Sequence, residues 1–196
     1  LVVAPHPDDE TLGCGGTLLK HHAEGDEIHW LIMSTINEQA GFSKSRIAAR
    51  EQEVSKVAKQ YQFSSLHQAT FTTTMLDKIP KNELIKEVSN YFNKVKPDTI
   101  YLPFRNDVHS DHTTVFDAVA SCTKSFRYPF ICKVMAYEVL SETEFSIRTD
   151  DRFHPNVWIS HSRIDYIAGY NSNHFLIFVK YICFKNDIQL YPIKKR

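Results

Sequence analysis

The chain has 196 residues, 42% of them hydrophobic and 23% charged, with six glycines and eight prolines, and a chain of that size and composition builds its own core rather than remaining disordered, collagenous or coiled coil. Lysine plus arginine and aspartate plus glutamate both total 23, so no net field draws in nucleic acid or anionic lipid, and neither is expected as a partner. Cys14, Cys122, Cys132 and Cys183 are scattered without C-x-x-C spacing, which fits a reducing cytoplasm. The longest apolar run, 175–184, is broken by Lys180 and is half as long as the roughly 20 residues that span a bilayer, so no membrane span is expected.

In chain order, Leu1 to Ala4 reads as a buried strand cut off by Pro5 and Pro7, followed by a helix from about Thr11 to Ala23 that Gly25 closes. The chain opens inside that first strand-like run and without Met, so residues are expected to precede it in the whole protein. Ile28 to Met33 is a second strand. A helix from Ser45 to Tyr61 then puts Ile47, Val54, Val57, Ala58 and Tyr61 on one face. Leu66 to Phe71 is a third strand, Asn82 to Val95 a third helix, Asp98 to Pro103 a fourth strand and Asp111 to Cys122 a fourth helix. Serial strand-helix units with continuously apolar strands predict an α/β fold, a Rossmann-like three-layer α/β/α sandwich around a mainly parallel sheet of order 3-2-1-4-5.

Beyond Lys133, the segments Lys133 to Leu140, Phe145 to Ile147 and Asn156 to Ile159 read as strands of an antiparallel extension at one edge. From about residue 160 the pattern is atypical: FLIFVKYICF suits a strand or a short helix equally. With no linker or internal repeat, one domain over 1–196 is expected.

Pro5-His6-Pro7-Asp8-Asp9-Glu10 follows the first strand and His109-Ser110-Asp111-His112 follows the fourth. In the expected strand order these are neighbours at the switch point where α/β proteins bind ligands. Either motif alone reads as a helix start capped by its own acids or by Ser110. Together they gather His6, Asp8, Asp9, His109, Asp111 and His112, a concentration of carboxylates that a divalent metal would balance. Imidazoles with one carboxylate suit zinc, whose catalytic sites leave one position open, although another divalent metal such as Fe2+ accepts similar donors.

The string PHPDDETLGCGGT with a distant NDVHSDH resembles the PIG-L/LmbE-like family of metal-dependent de-N-acetylases, which includes deacetylases of bacillithiol and mycothiol synthesis and enzymes acting on N-acetylglucosamine lipids. The resemblance implies a zinc hydrolase that removes the acetyl group from a small-molecule N-acetylated amino sugar or glycoconjugate. It matches His6, Asp9 and His112 to the metal ligands, Asp8 to the general base, and His109 to the group that supports the tetrahedral intermediate, with Asp111 beside it. Physically, Asp8 can take a proton from water, and a His109 kept cationic by Asp111 could serve the oxyanion and the departing amine. The resemblance departs from the family pattern after Ile159, where an amphipathic helix is usual.

Three rivals belong to other classes. A phosphoester hydrolase with two metals needs more bridging ligands. A non-haem iron oxygenase uses two histidines and one carboxylate. A binding protein that had lost activity has no need of Asp8. Gly13, Gly15 and Gly16 lack dinucleotide-binding spacing and are read as helix-packing positions, and Cys14 as packing. Arg50, Asn37, Glu38, Arg105, Asn106 and Asp107 lie near the active edge, where they either meet sugar hydroxyls or stay solvated. His21, His22, His29, His67, His154, His161 and His174 show no ligand spacing.

Overall fold

The computed structural model of the protein describes residues 1–147 and 152–159. The elements alternate as β1 (Val2–Ala4), α1 (Asp9–Ala23), β2 (His29–Ile32), α2 (Lys44–Tyr61), β3 (Ser65–Gln68), α3 (Lys81–Val95), β4 (Thr99–Pro103), α4 (Ser110–Ser121) and β5 (Lys133–Tyr137). The strands form one sheet in the order β3-β2-β1-β4-β5, and every pairing is parallel. This is the expected Rossmann-like α/β architecture.

Alternation along the strands divides the core into two layers. Leu1, Val3, Leu31, Met33, Ile100 and Leu102 face one way, against Leu84, Val88 and Phe92 of α3 and Val115 and Val119 of α4. Val2, Ala4, Trp30, Ile32 and Tyr101 face the other way, against Leu18 of α1 and Val54, Val57 and Tyr61 of α2. Strands covered on both faces must be apolar at consecutive positions, which is why these segments read as unbroken hydrophobic runs. On α3 the buried Leu84, Val88, Tyr91 and Phe92 recur at helical spacing. The Ser43 hydroxyl accepts the Arg46 N–H at 3.3 Å to start α2.

Two glycines let the first helix pack close to its neighbours, Gly13 against β5 and Gly15 against α2. A Cβ on Gly13 would collide with the ring of Tyr137, and one on Gly15 with the Tyr61 hydroxyl. The Tyr137 hydroxyl donates to the Val3 carbonyl at 2.9 Å, which holds that ring in place.

The region after Lys133 differs from expectation. Residues 133–137 pair with β4 along their whole length, from Thr99↔Lys133 to Pro103↔Tyr137, and in parallel. The chain leaving α4 returns to the N-terminal end of the sheet, where the N–H groups of Cys132 and Lys133 both reach the Asp98 carbonyl; a strand started there can run only with its neighbours. Phe145 to Ile147 is not a strand: a 3-10 turn covers Thr143–Phe145, because the N–H groups of Glu142 and Thr143 are taken locally by the Val139 carbonyl. Asn156 to Ile159 carries no regular structure. The expectations for residues 160–196, His161, His174 and Cys183 among them, lie outside the described residues. Among the described residues no helix is long and apolar enough to cross a membrane.

Candidate active site

Between β1 and β4 the sheet changes direction of growth, and the loops leaving their C-terminal ends face one another there. After β1, the His6 carbonyl accepts the Asp8 N–H at 3.0 Å, and Oδ2 of Asp9 accepts the His6 N–H at 2.8 Å. This tight turn throws His6 and Asp9 to the same side. Asp8 occupies the cap position of α1 but makes no capping bond with its side chain, so its carboxylate is not consumed by the helix. After β4, α4 is capped neither by Ser110 nor by Asp111: Nδ1 of His109 accepts the Asp111 N–H at 3.1 Å.

All six residues singled out in the sequence meet. Nε2 of His6 donates to Oδ2 of Asp111 at 3.0 Å, while its Nδ1 lies 3.4 Å from Oδ2 of Asp9. Nδ1 of His112 donates to Oδ2 of Asp107 at 2.7 Å, while its Nε2 lies 3.3 Å from the same Asp9 oxygen. Each histidine therefore has one nitrogen held by a carboxylate and the other aimed at Asp9. Nε2 of His112 is buried without a hydrogen-bond partner. Such carboxylate-histidine pairs are the usual surroundings of metal-ligating imidazoles, and the orphaned nitrogen means that the residues present fit a metal. Donor atoms within 4.8 Å of one another form two overlapping sets: His6, Asp9 and His112, and His6, His109 and Asp111.

Among these side chains charge is balanced by protons. Burial disfavours the His6 cation, but Asp111 and Asp9 outweigh it and bring its pKa up to about 9. Burial likewise opposes the His112 cation, and Asp107 and Asp9 bring it to about 10. Burial would raise Asp9, yet His112 and His6 hold its carboxyl well below the usual range. Asp8 moves the other way, to about 6, because burial and then the Asp9 charge disfavour its anion. Burial also raises Glu10 well above the usual carboxylate range.

The expected partnership of His109 with the Asp111 carboxylate is not formed. Asp111 is fully buried; its Oδ2 serves His6 and the Thr74 N–H at 2.8 Å, and its Oδ1 the Leu76 N–H at 3.1 Å. It faces inward because those two backbone donors and His6 converge there. Burial, followed by the His6 charge, lowers the His109 pKa. Its ring is therefore neutral, with Nδ1 used as an acceptor and the proton on Nε2.

His6, Asp8, Asp9 and His109 line a pocket of about 230 Å³ whose remaining walls are Leu12, Thr73, Ser141 and Glu142. Sequence reasoning missed those walls and the part taken by Asp107, which is not a solvated loop acid. Its side chain is wholly buried against His112 and accepts a second bond from the Thr143 hydroxyl at 2.6 Å. Arg50 supports the first loop, donating to the Pro7 carbonyl at 3.3 Å. Arg105 bonds Asp117 at 2.9 Å, and Asn37 caps a short turn. Cys14 is buried, and burial pushes its thiol pKa well up, in keeping with packing.

A model of the family described as PIG-L, GlcNAc-PI de-N-acetylase, matches residues 1–123. No curated protein matches the chain. Among solved structures, a conserved protein of Thermus thermophilus superposes with a TM-score of 0.62 at 23% identity, over 81% of this chain and 70% of that one. An N,N'-diacetylchitobiose deacetylase from Pyrococcus horikoshii gives 0.56 at 24%, over 69% of this chain and 58% of its own. A zinc-inhibited form of a teicoplanin deacetylase gives 0.59 at 15%, over 77% and 71%. At these identities the likeness is one of fold.

Proposed function

The chain belongs to the PIG-L family of GlcNAc-PI de-N-acetylases, and from that premise we propose that it is a zinc-dependent hydrolase that removes the acetyl group from an N-acetylated amino sugar or its conjugate. One observation carries the reading. Two histidines, each clamped by a buried carboxylate, turn their remaining nitrogens on Asp9, beside an Asp8 that the helix does not use. His6, Asp9 and His112 would hold the metal. A divalent cation there supplies Lewis-acid polarisation of the amide carbonyl and makes water easier to deprotonate.

Asp8 takes the proton of the attacking water. Its side chain makes no capping bond to the helix and stands in the pocket wall, so the carboxylate is available to accept that proton as a general base. Water adds to the carbonyl carbon, and His109 donates a hydrogen bond from Nε2 to the oxygen on which charge develops. Because the His109 ring is neutral, the proton that the amine needs is the one held by Asp8. Passing it to nitrogen as the C–N bond breaks yields a free amine and acetic acid, which ionises to acetate by releasing its proton to solvent, and restores the Asp8 carboxylate. Asp107 and Asp111 are positioning residues, fixing the rings of His112 and His6.

We place the reaction in the cytoplasm, on the free thiols of Cys14, Cys122 and Cys132. The test is release of acetate, with equal free amine, from a panel of N-acetylglucosamine derivatives. Activity should vanish on chelation and return with zinc. No acetate from any member of the panel, or release indifferent to chelation, would overturn the proposal.

A further inference from the structure

We infer that Glu142 selects the substrate, its carboxylate accepting hydrogen bonds from hydroxyls of the sugar ring that bears the acetamido group; this rests on the deacetylase reading above.

Glu142 lines the same pocket as His6, Asp8, Asp9 and His109, but has no place among the metal donors or in the proton transfers. Its position is fixed from several sides. Its N–H reaches the Val139 carbonyl at 2.8 Å, and its own carbonyl accepts the Phe145 N–H at 3.3 Å. The next residue, Thr143, receives the Val139 N–H at 2.8 Å and donates to Asp107 at 2.6 Å. Asp107 in turn grips His112. The turn carrying Glu142 is thus pinned to the same carboxylate that orients a metal ligand, which sets Glu142 at a constant offset from the reacting centre.

The side chain is half-buried in that wall, and its carboxylate takes no hydrogen bond from any described residue. Among the described residues nothing donates to that carboxylate, so its acceptor oxygens stand available at the pocket wall. A ligand rich in hydroxyls supplies the donors.

The experiment uses zinc-loaded wild type, E142A and E142Q, with methyl N-acetylglucosaminide as probe, and measures acetate release, calorimetric binding and bound metal. E142A should raise KM about tenfold or more, the worth of a hydrogen bond to a charged group, with kcat little changed and zinc at wild-type occupancy. E142Q, which keeps one acceptor oxygen, should fall between. Wild-type KM in E142A, a loss confined to kcat, or loss of zinc would overturn the assignment, the last by making Glu142 a ligand. If the wild type binds the sugar through Glu142 but releases no acetate, the deacetylase reading fails and this one stands. If it neither binds nor hydrolyses the sugar, both fail.

Discussion

Nδ1 of His112 lies 2.7 Å from Oδ2 of Asp107, and both side chains are completely buried. The carboxylate fixes which nitrogen carries the proton and so leaves Nε2 free to meet Asp9. Replacing Asp107 with Asn preserves the shape but removes the charge, and should weaken zinc binding by roughly 10- to 100-fold. Chelator competition against the wild type checks this. Thr143→Val, which removes only the support of Asp107, should have a smaller effect in the same direction.

Asp8→Asn should leave zinc bound and the fold intact while cutting kcat by about 100-fold or more, because the amide cannot accept a proton from water. Steady-state kinetics on metal-loaded protein will separate this from a binding defect. A variant working at near wild-type rate would move the base elsewhere.

His109→Ala should also keep its metal and lose roughly 100-fold in kcat, the usual cost of one donor to a developing oxyanion. Sugar binding should change little. Removing the side chain also uncaps α4, costing about 1 kcal/mol of stability, so thermal unfolding should be recorded alongside turnover.

The metal-free protein should lose stability at alkaline pH. His6 and His112 have folded-state values of about 9 and about 10, raised from 6.5. Their contribution is therefore fully present below pH 6.5 and lost as pH climbs through the higher values, when Asp9, Asp107 and Asp111 are left without counter-charge. Zinc displaces those protons, so its affinity should rise over the same window, and the unfolding midpoint of the loaded protein should stay nearly level. Unfolding curves from pH 6 to 10, with and without zinc, test both.

Much of this architecture was legible in the sequence because Val2 to Ala4, Trp30 to Met33 and Ile100 to Leu102 are buried on alternating faces, which leaves unbroken apolar runs. The six residues that meet at the switch point could be singled out because each motif follows such a run. Their pairings could not. Asp111 stands two residues after His109 in sequence and was expected to hold it, yet its carboxylate is given to His6, 105 positions away. The choice was made by two backbone donors in a loop whose path no local pattern reveals. Asp107, Glu142 and Thr143 escaped for the same reason, since their meeting depends on where the chain turns after β5. That strand's direction was itself set by the return of the chain to Asp98 rather than by its own composition.

The most direct test is anomalous diffraction at the zinc edge from crystals grown with zinc. The account predicts a single site coordinated by Nδ1 of His6, a carboxylate oxygen of Asp9 and Nε2 of His112, with Asp8 beside it and not bound to it. Zinc lodged instead among His6, His109 and Asp111, the overlapping set of donors, or no zinc at either position, would contradict it.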